Sequence, residues 1–524
     1  MVLGLCSSTH DSAAALAAGG RLVGMAEEER LPGVKHTREY PRRAVEWLLS
    51  EAGLSPADVG VVACNFAGHR YLAGVAGSAA YLPRPATRRR AAPRAASYAV
   101  VHARYRQRMR SLREMFPNAT VRGVSHHLAH GLYAFTASGL GEAAVLAAGG
   151  LGETHTTSVA HARAQDEGVR YRQVEAISDP ASPGYVYGAV TEHLGWRRGD
   201  EEGTVMALAA LGDPGRFRAL FAKAVPFTST GFALDPEFFP LRVLRHGWPR
   251  VTPAFTAAAC PARRPGEDVA QVHADLAAAL QERTEQVMAH LAFRARHVTG
   301  ARLLCLGGGV AMNCAAVGKI ASEGLFDEVF VPPAPGDSGT AIGAAVAAHL
   351  RTARTAPGGT GHACYLGPAY PAFRPTPVPL PGLTARQVAD PAGFLASQLA
   401  EGKIAGLFQG RLEAGPRALG NRSILASPLL PGAVARLNAA VKFREPFRPF
   451  APVVLADKAP ATSVSLSPAP TCRSRRPRPN WRDGSSRLSS TPTAPPASRL
   501  SSPGRTRSWL TSSRGSRAAP EYRS

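Results

Sequence analysis

Two segments of this 524-residue chain repeat the same order of apolar strands and turns, and this repeat limits the folds open to it. Residues 2–30 give an apolar strand, a small and hydroxyl-rich loop, a second strand, a Gly-Gly turn and a third strand. Residues 142–176 again give an apolar strand, a glycine-rich turn, a Thr/Ser-rich strand, a turn and another strand. We interpret the two units as an internal duplication.

Helix and strand patterns alternate after the second unit. Residues 268–298 have helical periodicity with almost no helix breakers, which predicts a long helix. Residues 301–321 give a buried strand, a three-glycine turn and a helix start, and residues 328–350 give a strand, a Pro/Gly loop and a helix. Strand–glycine–helix order offers backbone N–H groups and a helix N-terminus to an anion. We therefore predict an α/β fold.

The composition changes twice along the chain and predicts three regions. A Thr-, Gly- and Pro-rich stretch at 351–363 marks the end of a first domain, residues 1–355. A second ordered domain follows over 364–457. Residues 458–524 are rich in Ser, Pro and Arg and lack a periodic apolar face, so we predict a low-complexity basic tail that is disordered or frame-shifted.

The formal charge of +23 would suit a nucleic-acid-binding protein, but its distribution argues against one. From residue 459 onward the chain has twelve arginines against only Asp483 and Glu521. A second basic cluster, at 84–113, is either a solvated helix face or the wall of a basic substrate channel. Few aromatic residues interleave with it for base stacking, so we do not expect a nucleic-acid partner.

The cysteines and the apolar runs bear on where the protein resides. The seven cysteines form no CxxC pair, which fits buried free thiols in a reducing compartment. The chain has no apolar run of about 18 residues that would predict a membrane span, and its start lacks the basic segment of a secretory signal. We expect a cytoplasmic protein without membrane contact, and the sequence leaves its oligomeric state open.

Three histidines crowd the sequence SHHLAH at 125–130. His126 and His130 are four residues apart, so they would share one helical face and could bind one metal ion. A helix with polar histidines near its start is the alternative. Asp337, before a predicted helix, would either cap that helix or supply a carboxylate oxygen as the third ligand. Two imidazoles and one carboxylate leave coordination positions open for phosphate, substrate or water.

Two strand turns carry further candidates. Gly307, Gly308 and Gly309 lead to Asn313, and a glycine turn lets a phosphate approach the backbone, although such turns also simply close tight corners. No Gly-Lys-Ser/Thr follows, so this is not a Walker loop. In the first strand turn, His10 is either a structural residue or a catalytic base.

Cationic residues recur among Gly, Pro and Phe between residues 408 and 452. Guanidinium groups recognise phosphate and carboxylate oxygens through paired hydrogen bonds. A surface salt-bridge network is the alternative, but the interrupting residues favour a formed anion pocket. Its candidate residues are Arg411, Arg417, Arg422, Lys442, Arg444 and Arg448.

Taken in chain order, these motifs resemble one family, the ATP-dependent O-carbamoyltransferases, which includes the tobramycin, cephamycin and nodulation carbamoyltransferases. The resemblance runs from residue 9 to residue 452. The motifs that carry it are THDSAAAL (9–16), EEERLPGVKH (27–36), SHHLAHGLYAF (125–135), GYVYGAVTEHLG (184–195), EGTVMALAALG (202–212), GGGVAMNCAAVGKI (307–320), PPAPGDSGTAIGAA (332–345), CYLGPAY (364–370), FQGRLEAGPRALGNRSILASP (408–428) and LNAAVKFREPFRPFAP (437–452).

The resemblance implies a duplicated actin-like (ASKHA) N-terminal domain and a partial YrdC-like α/β domain. In the family, the YrdC-like domain joins carbamoyl phosphate to ATP, with Mg(II), and gives carbamoyl-adenylate and pyrophosphate. The actin-like domain then passes the carbamoyl group to a hydroxyl of a small molecule. Antibiotic biosynthesis or another branch of secondary metabolism is the implied setting.

Individual residues take roles by the same resemblance. His126, His130 and Asp337 match the metal ligands, for iron(II) or another divalent metal. His10 matches the base that deprotonates the acceptor hydroxyl. The arginine and lysine set of the second domain would bind carbamoyl phosphate and the adenylate. The nucleotide-binding residues would be Lys35, Gly308, Gly309 and Asn313.

The chain departs from the family pattern in three places. The turn at 149–153 reads Gly-Gly-Leu-Gly-Glu, without the acidic residue that begins this turn in the family. Thr204 and Ala207 replace a Lys and a Gly. Beyond residue 457 the basic tail replaces the folded YrdC-like sequence, and we interpret it as a shifted reading frame in GC-rich DNA.

Two other functions remain open. One is tRNA threonylcarbamoyl transfer, which the extension at 408–452 disfavours. The other is an inactive protein that binds nucleotide and metal but lacks a complete adenylation domain. The sequence does not identify the hydroxyl acceptor.

Overall fold

The computed structural model describes residues 1–7, 9, 11–166, 168–361, 364–370 and 386–455, and the backbone of 474–475. The chain is a mixed α/β protein that divides into two units. In the described part, the first unit comprises residues 1–367 with 414–416, and the second comprises 368–413 and 417–455. The tail predicted at 458–524 lies outside the described residues apart from that two-residue backbone, and the predicted domain bounds stay predictions.

The first unit is built from the following strands and helices in its described part. The strands are β1 (Val2–Cys6), β2 (Ala13–Ala18), β3 (Arg21–Glu27), β4 (Val61–Cys64), β5 (Thr120–Gly123), β6 (Glu142–Gly152), β7 (His155–Gln165), β8 (Gly168–Ser178), β9 (Phe227–Thr228), β10 (Gly231–Phe232), β11 (Leu303–Gly307) and β12 (Glu328–Phe330). The helices are α1 (Arg42–Glu51), α2 (Tyr71–Gly77), α3 (Pro85–Met115), α4 (His126–Ser138), α5 (Pro183–His193), α6 (Glu202–Ala209), α7 (Arg218–Ala224), α8 (Pro253–Ala258), α9 (Gln271–Thr299), α10 (Cys314–Ser322) and α11 (Thr340–Ala353).

Two sheets of the first unit have the same strand order and directions. The first runs β3-β2-β1-β4-β5, in which β1 to β3 are antiparallel and β4 and β5 extend the sheet in parallel. The second runs β8-β7-β6-β11-β12, again with three antiparallel strands followed by two parallel ones. The three strands predicted in each repeat are confirmed. Their origin by duplication remains a prediction.

Apolar layers cover both faces of the first sheet. β1 is buried along its whole length because α11 packs on one side and α1 on the other. The central core joins β1, β2, α4 and α11 and consists largely of alanine with Leu132, Tyr133, Phe135 and Ile342. The predicted long helix and the two strand–glycine–helix segments also form, as α9, β11 with α10, and β12 with α11.

The central helices α4 and α11 approach each other very closely. A Cβ added at Gly343 of α11 would collide with the carbonyl oxygen of Ala129 on α4. Only a residue without a side chain fits there, since protein interiors leave no spare space between packed backbones. This contact holds the start of α11 against the start of α4, and both ends carry candidate ligands.

The basic segment 84–113 forms most of α3, and its arginines do not share one environment. Arg94 is buried and forms an ion pair with Asp179. Arg108 donates a hydrogen bond from Nη1 to the carbonyl oxygen of Ser7 at 2.8 Å. Ser7 directly follows β1, so this bond fixes the start of the first strand turn. Neither α3 nor any other helix within the described ranges is long and apolar enough to cross a membrane.

The described part of the second unit contains a small antiparallel ladder and short helices. Its elements are β13 (Ala405–Phe408), β14 (Arg422–Leu425), α12 (Pro391–Ala400), α13 (Ala433–Leu437), a π-helical turn (Asn438–Lys442) and the two-residue strand β15 (Ser474–Arg475). The YrdC-like identity of this unit stays a prediction.

Asp275, the fifth residue of α9, should make folding stability depend on acid pH. Its carboxylate, 7% exposed, accepts hydrogen bonds from the Asp213 N–H at 2.9 Å and from Gln271, and it pairs with Arg216. These bonds, led by that of Asp213, lower the pKa of Asp275. A lowered pKa stabilises the fold at neutral pH, and the stabilisation is lost as pH falls through the folded-state pKa. We expect D275N to lower the free energy of unfolding by about 1–2 kcal/mol at pH 7.

Urea unfolding of wild type and D275N at pH 7 and below pH 3 measures this effect. The difference between the two proteins should shrink at the acid pH. D327N, which removes a carboxylate 56% exposed beside Arg302, is the matched control and should cost less than about 0.5 kcal/mol. Equal losses in both variants at both pH values would contradict the prediction.

Candidate functional site

Three predicted metal ligands converge at the start of α4. The Nε2 atoms of His126 and His130 lie 3.1 Å apart. Each lies 3.5 Å from Oδ1 of Asp337, which begins a short 3-10 helix (Asp337–Gly339) leading into α11. Both histidines are buried. The i, i+4 spacing predicted from the sequence thus aims both rings at one carboxylate oxygen.

The donor set fits a divalent metal ion. Two metal–ligand bonds of about 2.1 Å, at angles of about 95–115°, place the ligand atoms about 3.1–3.5 Å apart. The three measured separations fall in this range. Burial and the neighbouring charge of His126 lower the pKa of His130, whereas Asp337 raises the pKa of the buried His126. His127 is also buried, and its ring centre lies 5.8 Å from that of His126, outside the triad.

Glu153 positions the helix that carries the two histidines. This non-glycine residue has a φ of 53° and is buried. Its Oε1 accepts the backbone N–H groups of His126 at 3.1 Å and Ala67 at 2.7 Å. Burial raises the pKa of its carboxyl above the usual range. Phe66 stacks on the His126 ring at 4.7 Å, with 2° between the two ring planes, and limits the rotation of that imidazole.

Removal of the Glu153 carboxylate should therefore weaken metal binding. We expect E153A to raise the dissociation constant for iron(II) or zinc(II) about 10- to 100-fold, the usual effect of losing a group that orients a ligand. E153Q keeps an acceptor oxygen for the His126 N–H and should restore most of the affinity. Competition titrations against a chelator measure both values, and equal losses in the two variants would contradict a positioning role.

The predicted glycine turn lies directly beside the triad. Gly308 has a φ of 87°, and a Cβ there would collide with the carbonyl oxygen of Ala148. A Cβ at Gly307 would lie 3.4 Å from the Cβ of His130. The Gly308 N–H donates to the carbonyl of Pro335 at 2.8 Å, two residues before Asp337.

The glycine-rich end of β6 faces this turn. Gly149 and Gly150, predicted as a turn, lie within β6 where its pairing with β7 is irregular, and the chain turns at 153–154 instead. A Cβ at Gly149 would lie 3.9 Å from the backbone N of Gly309, so the end of β6 and the β11 turn are neighbours. Asn313 caps α10 by accepting the Ala316 N–H at 3.0 Å, and its amide exchanges hydrogen bonds with Gln281. The glycine-rich end of β6, the β11 turn and the N-terminus of α10 therefore lie close together, an arrangement suited to an anion.

The first strand turn contains an ionic cluster that sequence reasoning missed. His10 itself lies outside the described residues. Its neighbour Asp11 binds Nδ1 of His36 at 2.8 Å, and Asp200 binds Nε2 of the same ring at 2.7 Å. The hydrogen bond that the His36 ring donates to the Asp11 carboxylate raises the pKa of His36. Lys35, predicted as a nucleotide contact, is exposed at this place.

The predicted cations of the second unit fall into separate environments. Arg422 pairs with the buried carboxylate of Glu413 at 3.0 Å. Arg444 binds Asn438 at 2.8 Å and lies over Phe450, and burial together with the charges of Arg448 and Arg417 lowers its pKa. Arg411 supplies its carbonyl oxygen to the side chain of Asn421. The grouping of Arg417, Arg444 and Arg448 is the part that resembles an anion pocket.

Glu153, Asp179 and Asp200 were not predicted as site residues. Glu153 is the last residue of the glycine-rich motif at 149–153, and its place in that motif is the signal that could have identified it. Asp179 and Asp200 have no local signal, because their partners lie far away in the chain.

Comparison with known proteins places the chain in a family. The Carbamoyltransferase N-terminus model matches residues 1–346, and the Carbamoyltransferase C-terminus model matches residues 396–473. Nodulation protein NolNO of Sinorhizobium fredii is 32% identical over 86% of this chain, and the chain spans 63% of that relative's length. The uncharacterized protein sll1178 of Synechocystis is 32% identical over 87% of this chain and 76% of its own length.

Among solved structures, HypF of T. kodakarensis has a TM-score of 0.34 and 15% identity, over 67% of this chain and 47% of that one. That likeness is too weak to support an argument about function. The matches to the two family models and to the relatives agree with the family that the ordered motifs indicate. The chain belongs to the carbamoyltransferase family.

Proposed function

We propose that this protein transfers a carbamoyl group to a hydroxyl of a small molecule and takes that group from carbamoyl phosphate through carbamoyl-adenylate. One observation carries the proposal: two buried imidazoles and one partly buried carboxylate adjoin the glycine turn at Gly308, which faces the glycine-rich end of β6, in a chain of this family. ATP and Mg(II) are the further co-substrate and cofactor. Nucleic acid and membranes are not expected as partners, and the oligomeric state stays open.

The activation step belongs to the second unit in this proposal. Carbamoyl phosphate, ATP and water give carbamoyl-adenylate, phosphate and pyrophosphate. The reacting groups are anions that repel each other, and nearby guanidinium groups offset that repulsion. Arg417, Arg444 and Arg448 are the described residues suited to this role, because the charges of Arg448 and Arg417 both act on Arg444. Arg422 instead stabilises the ladder through Glu413.

The transfer step belongs to the first unit. The acceptor oxygen attacks the carbamoyl carbon, AMP leaves, and the hydroxyl proton passes to a base. His10 is the proposed base, and Asp11 beside it is held by His36. The peptide N–H groups at the glycine turns bind phosphate oxygens. His126, His130 and Asp337 would hold iron(II) or another divalent ion, which when bound stabilises negative charge on oxygen.

The test is pyrophosphate release by the full-length chain given ATP and carbamoyl phosphate, followed by transfer of a ¹³C-labelled carbamoyl group to a panel of aminoglycosides, cephems, macrolides and sugars. We expect pyrophosphate release that needs carbamoyl phosphate and labelled product with at least one acceptor. Absence of pyrophosphate would contradict the proposal for this chain and favour an inactive nucleotide-binding protein. Consumption of threonylcarbamoyl-adenylate with tRNA would favour threonylcarbamoyl transfer.

A further inference from the structure

Three arginines of the first unit meet around α5, away from the cations predicted in the second unit. Arg242 and Arg250 lie over the ring of Tyr185, with guanidinium carbons 4.1 and 5.7 Å from the ring centre. Arg198 and Arg250 approach the same oxygen of Glu192, at 3.5 and 3.0 Å. We call Arg198, Arg242 and Arg250 the arginine cluster.

The cluster holds more positive charge than its carboxylates balance. Asp179 is shared by Arg94 and Arg242, and Glu192 is shared by Arg198 and Arg250. Together with Arg94, the three arginines of the cluster therefore place four guanidinium groups against two carboxylates. One of these carboxylates, Glu192, is 57% exposed, so water screens its charge. Arg90 and Glu202 lie at the edge of the cluster, and their opposite charges cancel, so the excess of positive charge is unchanged.

The surroundings of Arg198 are consistent with this excess. Burial lowers its pKa, and the charges of Arg250 and Arg242 lower it further, more than Glu192 and Glu202 can offset. Guanidinium groups this close to one another repel, so the arrangement is unfavourable without an anion that offsets the repulsion.

The cluster also has hydrogen-bond donors to spare. Within the described ranges, no hydrogen bond is made by either Nη of Arg198 or Arg250, or by Nη2 of Arg242. A guanidinium group has five N–H donors and matches the geometry of a phosphate or carboxylate. Arg198 and Arg250 are 35% and 15% exposed, so a ligand can reach them from solvent.

The position of the cluster favours a phosphate. Nη1 of Arg242 donates to the carbonyl of Gly150 at 2.8 Å, and Ser182, the N-cap of α5, donates to the same oxygen at 2.8 Å. This ties the cluster to the glycine-rich end of β6, where Gly149 faces Gly309. Two unbalanced positive charges match the charge of a phosphate dianion. A carboxylate would neutralise only one of them.

We propose that Arg198, Arg242 and Arg250 form an oxyanion subsite that binds a phosphate group. The phosphate belongs to a nucleotide or to a phosphorylated small molecule, and the chemistry of recognition is the same for both. The subsite does not depend on carbamoyl transfer, since it is defined by binding alone.

Calorimetric titration of the full-length chain with pyrophosphate, ATP and glucose 6-phosphate, at constant ionic strength, tests the subsite. We expect R198Q and R250Q each to raise the dissociation constant of the bound probe about 10- to 100-fold, the effect of losing a charge-assisted hydrogen bond. R218Q and R302Q are matched controls, because each removes an exposed arginine paired with one acid elsewhere on the first unit. Both should stay within about twofold of wild type.

A second measurement on the wild-type chain avoids any effect of the variants on folding. Pyrophosphate should slow the modification of Arg198 and Arg250 by phenylglyoxal, mapped on peptides by mass spectrometry, and should leave Arg218 and Arg302 unprotected. A larger loss of affinity for ATP than for glucose 6-phosphate in R198Q and R250Q supports a nucleotide phosphate in the subsite, and the reverse supports a phosphorylated small molecule. Equal weakening in the control variants, equal protection of all four arginines, or no binding of any probe at millimolar concentration would overturn the proposal.

Discussion

Replacement of His130 by alanine is expected to remove the bound metal and carbamoyl transfer together while leaving pyrophosphate release intact. His130 supplies one of three converging ligand atoms, and the remaining His126 and Asp337 form a weaker two-ligand site. We expect metal affinity to fall more than about 100-fold, beyond the loss typical of a group that only orients a ligand. Metal analysis of the purified chain and the labelled-carbamoyl assay measure the two losses.

The matched control is H297A. His297 is an exposed histidine of α9 that stacks on Phe293, so this variant removes one imidazole without touching the triad. Unchanged metal content in H130A would show that the triad is not the metal site. Loss of pyrophosphate release in H130A would show that the two steps are not divided between the two units as proposed.

Replacement of Gly308 by alanine is expected to distort the turn after β11 and to destabilise the protein strongly. The added Cβ would meet the carbonyl of Ala148 on the adjacent strand, and alanine would also have to adopt a φ of 87°. Strain of this kind and a backbone clash together should lower the free energy of unfolding by about 3–5 kcal/mol. Urea unfolding followed by tryptophan fluorescence measures the loss.

The neighbouring glycine is an unusually close control. A Cβ at Gly309 would meet nothing within 4 Å, and Gly309 is not among the positive-φ glycines. G309A should therefore unfold like wild type, yet its methyl group would stand where a phosphate approaches the backbone. We expect ATP affinity to drop about tenfold in G309A. Equal stability of G308A and G309A would contradict the strain argument, and unchanged ATP affinity in G309A would contradict the nucleotide role.

Much of the first unit could be predicted because its signals are local. The strands, the glycine turns and the long helix follow from patterns within about 30 residues, the range over which periodicity can be read. The pair His126 and His130 is also local, since one helical turn places them together. Asp337 is different: its place before a helix suggested two roles, and only the fold shows that it faces the two imidazoles at 3.5 Å.

The rest depended on contacts that no local pattern encodes. Asp179 meets Arg94 and Arg242 across long stretches of chain, and His36 reaches Asp200 in the same way. The second-unit cations show the opposite problem. They lie within residues 411–448 and stay predicted as one anion pocket, and in the structure Arg422 pairs with Glu413 while Arg444 binds Asn438. Composition identified the charges without distinguishing a structural ion pair from a ligand contact.

The close approach of α4 and α11 has a consequence for how the metal would be chosen. At Gly343 the backbone of α11 lies directly against the backbone of Ala129 on α4, so no side chain at this contact can repack to change the distance between the helices. The distances from the two imidazoles to Asp337 are then set by the packing of the core. They do not depend on which acceptor the protein binds. If the proposed metal site holds, a change of preferred metal would require a change in the spacing of the core itself.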